Sequence, residues 1–188
     1  MGKVVLIVMF LINLGYSQEK VSVQLAQDVK LGLLGDEKHG YDVGTLDFSV
    51  SILMQGNQQK WGYMIVYPEF EYADLQIEKY KRWTANVGYV FNELFIPKLE
   101  MGASVSYGFI DRGLTDFCWG GNGFIKYKFN DTIKIVLNTQ LTERPDLYTL
   151  YGVDNEWRYS GFLGIEISIF NTKKISFFSQ KKDCIINN

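Results

Sequence analysis

The chain has 188 residues and a formal net charge of −2 at pH 7, so it carries no basic stripe of the size that nucleic-acid binding requires. Its length suits one domain, such as a single barrel or sandwich. Aromatic residues make up 15% of the chain, which also holds 18 glycines and 3 prolines. Because Tyr and Phe favour strands and Gly suits tight turns and crowded lumens, this composition favours an all-β fold.

The first segment, residues 1–17, has the features of a secretory signal peptide. Lys3 supplies a positive charge, a short apolar run follows it, and Gly15 and Ser17 are small residues three and one positions before a break at Gln18. The apolar run is shorter than the roughly 20 residues of a membrane-spanning helix. We therefore expect an exported protein whose mature chain begins near Gln18. The alternative is a buried N-terminal strand or helix.

Beyond Gln18, apolar and polar residues alternate with a period of two, which predicts β-strands. Leu99 and Met101, for example, share one face of a strand, and Glu100 and Gly102 share the other. The predicted strands are 21–33, 45–54, 61–72, 82–91, 99–109, 119–129, 133–141 and 157–170.

The predicted connections differ between the two ends of these strands. The short links are 56–60, 92–98 and 130–132, and the mostly longer, more charged ones are 35–44, 73–81, 110–118 and 142–156. This difference is typical of an up-and-down barrel in an outer membrane. The sequence thus predicts an all-β, eight-stranded antiparallel transmembrane barrel over 18–170 and a short polar, basic tail over 171–188.

Alternation alone does not say which face points inward, because a soluble lipocalin-like barrel alternates with its apolar face inside. The polar face here is rich in small residues such as Gly102, Ser104, Ser106 and Gly108. Small residues suit the tight interior of an eight-stranded barrel. This favours a polar lumen and an apolar outer wall.

The charges on the polar face are balanced, with six acids and six bases. Such groups can pair within a closed lumen, where an isolated charge would be very costly. The alternative is an ordinary solvated surface of mixed sign. The predicted lumen charge network is Asp28, Lys30, Asp47, Glu69, Glu71, Arg82, Glu100, Lys126, Lys128, Lys134, Arg158 and Glu166.

Aromatic residues on the apolar face gather towards the strand ends, as they do at the two interfaces of a membrane. Core aromatics scattered without such order are the alternative. The predicted aromatic girdle is Trp61, Tyr72, Trp83, Tyr107, Trp119, Phe129, Trp157 and Tyr159. With the small, charged polar face, these bands favour lipid outside the barrel.

The last predicted strand, GFLGIEISIF over 161–170, ends in an aromatic residue after alternating apolar ones. It looks like the C-terminal signal that the assembly machinery recognises in outer-membrane barrels. Over about 21–170 the chain resembles the small eight-stranded barrels of the OmpA/OmpX type. That resemblance implies a monomer in the outer membrane. The chain departs from the family in the residues that follow Phe170.

The residues whose side chains are suited to catalysis or metal binding form no motif. His39 is the only histidine and lies in the first long loop. Some eight-stranded barrels modify lipid A with a His, a Ser and an acid, but no Ser is placed as a partner here. Glu69 and Glu71 share a face and are predicted to form ion pairs. Cys118, in a predicted loop, and Cys184, in the tail, show no zinc or disulfide spacing. No metal and no cofactor is expected.

Three functions remain open. The first is a non-enzymatic outer-membrane barrel with a side-chain-filled lumen, whose outer loops serve adhesion, partner binding or envelope support. Its partners would be outer-membrane lipid and an extracellular ligand or host surface. The second is a lipid A-modifying enzyme that uses His39. The third is a secreted lipocalin-like barrel that binds an apolar ligand.

Overall fold

The computed structural model describes residues 19–35, 42–75, 79–92, 96–152 and 156–171. The predicted signal peptide, His39, Cys184 and the tail after residue 171 lie outside these ranges. The strands are β1 (Lys20–Asp28), β2 (Asp47–Gln55), β3 (Gly62–Ala73), β4 (Tyr80–Asn92), β5 (Leu99–Asp111), β6 (Thr115–Lys128), β7 (Ile133–Arg144) and β8 (Glu156–Asn171). Within the described ranges, two short helices lie between strands, α1 (Val29–Leu34) and α2 (Pro145–Tyr151).

The eight strands form one closed barrel in chain order. Each strand pairs antiparallel with its neighbours, and β1 closes the barrel by pairing with β8 from Lys20↔Asn171 to Asp28↔Phe162. The prediction of an all-β, eight-stranded antiparallel barrel is confirmed. Among the described residues, neither helix is long and apolar enough to cross a membrane.

The barrel has two different ends. At the turn end, where β1 begins and β8 finishes, the links are 56–61, 93–98 and 129–132. At the loop end they are 29–46, 74–79, 112–114 and 145–155. The long loop predicted over 110–118 is wrong. β5 and β6 extend into it and meet at a tight turn, where Gly113 adopts a φ of 79° that glycine tolerates without strain.

The single strand predicted over 21–33 is also wrong in its second half. β1 stops at Asp28, whose carboxylate accepts a hydrogen bond of 3.1 Å from the Leu31 amide and so caps α1. Gly35, with a φ of 65°, ends the helix and donates its amide to the Leu31 carbonyl. Leu31 is therefore buried under the loop end, while Leu33 and Leu34 are exposed.

The barrel is polar inside and apolar outside. Large apolar side chains along the outer wall, such as Val105 and Ile165, are exposed. The buried side chains facing inward are mainly polar or charged. Phe124 is an inward exception, and its ring occupies the space that a Cβ at Gly102 would need. Glycine at this position lets an aromatic ring fill the lumen.

Candidate functional site

The side chains in the lumen lie in layers along the barrel axis. The inward-facing residues of β7 show the order of these layers. From the turn end to the loop end these residues are Lys134, Val136, Asn138, Gln140, Thr142 and Arg144. Every second residue of a strand faces the same side, so β7 contributes one inward-facing residue to each layer in turn.

The turn-end cluster consists of Glu100, Lys126, Lys128, Lys134 and Glu166. Lys134 Nζ lies 2.6 Å from Glu100 Oε2 and 3.6 Å from Glu166 Oε1. Lys126 Nζ lies 2.6 Å from Glu166 Oε2, and Lys128 Nζ lies 3.1 Å from Glu100 Oε1. Each carboxylate therefore has two lysines, so that the loss of one leaves the other in place.

Water reaches this cluster from the turn end. A vestibule of about 320 Å³ opens there and is lined by Lys20, Tyr63, Glu100 and Lys134, among others. The Lys128 side chain, at its rim, is 32% exposed. The hydroxyl of Tyr63 donates to Glu100 at 3.0 Å and accepts from Lys134 Nζ at 3.2 Å. The turn-end cluster is thus the more hydrated part of the lumen.

An apolar waist separates this cluster from the rest of the lumen. Its members, with the rings of Tyr63 and Tyr67, are Leu53, Ile65, Val90, Phe124 and Val136. The cavity at this level holds only about 10 Å³. That is about the smallest volume in which a water molecule fits.

Amides and hydroxyls fill the lumen above the waist. The Tyr67 hydroxyl and Ser104 Oγ lie 2.7 Å apart. Asn122 Nδ2 is within 3.3 Å of both oxygens and 3.1 Å from Asn86 Oδ1, to which it donates. This layer contains neutral groups, and its hydrogen bonds connect the four strands β3, β4, β5 and β6.

Arg82 is the centre of the loop-end cluster, which comprises Asp28, Asp47, Glu69, Glu71, Arg82 and Arg158. Arg82 Nη2 lies 2.6 Å from Glu69 Oε1, and Nε lies 2.8 Å from Glu71 Oε2. Its Nη1 donates to Thr142 Oγ1 at 3.3 Å, across the barrel. Glu69 and Glu71 thus share one guanidinium, and the ion pairing predicted for them is present.

The second guanidinium of the cluster joins β8 to β1 and β2. Arg158 Nη2 lies 3.3 Å from Asp28 Oδ2 and 3.1 Å from Asp47 Oδ2. The other oxygen of Asp47, Oδ1, is buried without a hydrogen-bond partner. The cluster has four carboxylates and two guanidiniums, and Asp28 also caps α1.

A rim triad of Arg112, Arg144 and Asp146 covers the loop end. Arg144 Nε lies 2.7 Å from Asp146 Oδ1, and Arg144 Nη2 lies 2.6 Å from Asp146 Oδ2. Arg112 Nη1 lies 3.2 Å from the same Oδ2. Burial alone would raise the pKa of Asp146, but the hydrogen bonds and charges of the two arginines outweigh it and hold that pKa below its usual value. Arg144 also lies over the Tyr80 ring. The triad thereby closes the lumen above the loop-end cluster.

The structure places the predicted charge network inside the barrel with two exceptions. Lys30 belongs to α1 and lies outside the wall, where Nζ donates to the Tyr159 carbonyl at 3.0 Å. Lys128 lies at the rim of the vestibule. The prediction for Lys30 is wrong because the chain turns into a helix after Asp28, which ends the alternation on which it depended.

The rim triad and the inward aromatic residues Tyr63, Tyr67 and Tyr80 were not predicted from the sequence. Arg144 could have been predicted to face the lumen, since it continues the period of two that runs through Lys134 and Thr142. Cys118 was predicted in a loop, but it lies in β6 and is buried beneath the loop end. Its neighbours there are Leu31, Ala73, Leu75, Tyr80 and Ile110.

The predicted girdle residues face outward in two bands. Tyr72, Trp83, Tyr107, Trp119, Trp157 and Tyr159 lie in the loop-end half, and Trp61 and Phe129 lie at the turn end. Ring contacts join neighbouring strands in the loop-end band, with centroids 5.5 Å apart for Phe48 and Tyr72, 4.4 Å for Phe70 and Trp83, and 4.5 Å for Tyr107 and Trp119. That these bands contact a membrane interface stays a prediction.

No group of histidine, cysteine, aspartate and glutamate side chains suited to a metal ion occurs within the described ranges. No protein-family model, no curated protein and no solved structure matches the chain.

Proposed function

We propose that this protein is an integral outer-membrane barrel whose wall contacts lipid and whose lumen is filled and closed. One observation carries the proposal: the apolar side chains are outside and the charges are inside. Val105 is 66% exposed, and Leu163 and Ile165 are 49% and 50% exposed, on a wall with few polar groups. Soluble monomers rarely expose apolar patches beyond a few hundred Å². If lipid surrounds the wall, these apolar side chains are not exposed to water, and the free-energy cost of that exposure does not arise.

The filled lumen supports a non-enzymatic role without a wide pore. Ion pairs, the apolar waist and the amide layer occupy the interior, and a barrel of eight strands encloses little more room than its side chains fill. A lipocalin-like protein needs an apolar interior cavity, and this lumen offers charged groups instead. The alternative enzyme depends on His39, and no observation favours it. Function then belongs to the loop end, through adhesion, partner binding or envelope support.

A charged residue placed on the outer wall tests the membrane assignment. Val105 lies midway along β5 and faces outward, so we expect Val105→Arg to cost about 2–4 kcal/mol in a bilayer and to reduce the folded protein in the membrane fraction. Leu114→Arg is the matched control, because Leu114 is similarly exposed, at 60%, but lies in the turn beyond β5. We expect that variant to behave as wild type.

The measurement combines fractionation of cells expressing the full chain with the shift in gel mobility between unheated and boiled samples. Wild type and Leu114→Arg should be recovered in outer membranes as folded, heat-modifiable species. Recovery of all three proteins in the aqueous fraction, with Val105→Arg as well folded as Leu114→Arg, would contradict the proposal. That result would favour a soluble barrel.

A further inference from the structure

An apolar groove lies on the outer wall where the barrel closes. The groove has a volume of about 740 Å³ and lies across β7, β8, β1 and β2. Aliphatic side chains and one ring line it, including Val23, Leu25, Phe48, Leu163, Ile165 and Ile167. The aliphatic side chains that line it suit contact with a hydrocarbon chain.

Ala26 of β1 pairs with Gly164 of β8, and both border the groove. Ala26 is buried and shares its face of β1 with Gln24 and Asp28, so this pair faces the lumen and presents its backbone to the groove. The side chains that line the groove come from outward-facing residues such as Leu25 and Ile165.

A cation lies at the loop-end side of the groove. Lys30 Nζ is 3.0 Å from the Tyr159 carbonyl oxygen and 6.0 Å from the centre of the Tyr159 ring. Tyr159 precedes Leu163 by four residues on β8, which places Lys30 roughly 13 Å beyond that part of the groove. An ammonium group at one end of an apolar groove matches a lipid that has a phosphate at the head of an acyl chain.

The helix that carries Lys30 adds apolar side chains at the same level. α1 packs against β8, and Leu33 and Leu34 are each 74% exposed. A helix with exposed leucines and a lysine beside an aromatic band has the features of a segment lying in a membrane interface. The head of a lipid in the groove would meet this helix.

We propose that the groove binds lipid A, with an acyl chain lying over the outer face of β1 and β8 and a phosphate beside Lys30. This inference rests on the proposed outer-membrane location, in which the loop end faces the leaflet that contains lipopolysaccharide. A phosphate at this position accepts charge-assisted hydrogen bonds from the ammonium group, which are stronger than neutral ones. No bond is made or broken, so the site is a binding site.

The full chain, folded in detergent micelles, can be titrated with purified bis-phosphorylated lipid A and examined by native mass spectrometry. We expect one lipid bound per barrel and about tenfold weaker binding for Lys30→Gln, since one charge-assisted hydrogen bond is lost. Lys81→Gln is the matched control, because Lys81 is an exposed lysine at the loop end of β4, on another part of the wall. Leu25→Trp, which fills the groove, should also weaken binding.

Two further arms separate the outcomes. Wild type should bind dephosphorylated lipid A less tightly than the phosphorylated form, whether or not Lys30→Gln folds. Equal binding by Lys30→Gln and Lys81→Gln would overturn the proposal, and so would tighter binding of phosphatidylglycerol than of lipid A. The heat-dependent mobility shift is measured on the same samples. Folded, membrane-recovered protein without lipid selectivity refutes the lipid site alone, whereas aqueous recovery refutes the proposed function.

Discussion

The two charged clusters of the lumen differ in chemistry and in access to water. The turn-end cluster uses lysines, opens to a vestibule, and gives each carboxylate two cationic partners. The loop-end cluster uses arginines and lies between the amide layer and the rim triad. Arg82 is only 1% exposed and serves two carboxylates on its own.

This difference shows how side-chain type follows solvation. Arg presents a planar fork of donors that satisfies two carboxylates in a fixed geometry, whereas Lys is a compact and strongly hydrated charge. The fork suits the closed half of the lumen, where water cannot replace a missing partner. Lysine suits the vestibule half, where water and a second lysine can. The clusters should therefore respond differently to the loss of one cation.

Removal of Arg82 should have the largest effect. Arg82→Met leaves Glu69 and Glu71 buried without their shared guanidinium, and we expect a loss of about 3–5 kcal/mol in the free energy of unfolding. Urea titration in lipid vesicles, followed by tryptophan fluorescence, measures it. Adding Glu69→Gln and Glu71→Gln to Arg82→Met should recover part of the loss. If Arg82→Met is as stable as wild type, the guanidinium is not the centre of the cluster.

Removal of Lys134 should have a smaller effect, although the residue is almost as buried. In Lys134→Met, Lys128 still contacts Glu100 and Lys126 still contacts Glu166. We expect a loss of about 2–3 kcal/mol, measured by the same titration. Lys128→Met is the control at the exposed rim and should lose less than about 1 kcal/mol. A larger loss for Lys134→Met than for Arg82→Met would reverse the comparison.

A smaller change than that of Lys134→Met is expected at the rim triad, and it should depend on pH. The pKa of Asp146 is lower in the folded protein than its unfolded value of about 3.9. Its contribution to stability is therefore complete above that value and is lost as the pH falls through the folded pKa. Asp146→Asn should be about 1.5 kcal/mol less stable at pH 7. The difference between the two proteins should shrink below pH 4, and a difference that stays constant to pH 2 would contradict this explanation.

Sequence periodicity sufficed for the wall of the barrel but not for its ends. The alternation that placed Glu100 and Glu166 inside depends only on each strand being regular. It could therefore be recognised in the sequence of one strand without knowing which strands lie beside it. At Asp28 the same apolar spacing continued while the backbone changed to a helix. The signals for that change were the capping carboxylate and Gly35, which are local and do not alter the alternation.

Contacts across the lumen were beyond sequence reasoning. Tyr63 and Lys134 lie 71 residues apart in the chain, and their contact depends on the stagger of the strands. Pro68 lies within β3, although proline is rarely found inside a sheet. The pairing between β2 and β3 passes from Ser51↔Glu69 to Met54↔Val66 and skips Pro68, which needs no partner for an absent N–H.

The pairing of β1 with β8 sets the order in which the barrel can form. All other neighbouring strands are consecutive in the chain, whereas Arg158 and Asp28, which join the first and last strands, are 130 residues apart. Closing so long a segment has a high entropic cost, which makes this pairing late and slow in folding. Until it forms, β1 and β8 are open edges that can pair with another chain. The groove at this seam is therefore the last part of the wall to be completed, and it exists only in a chain that has finished folding.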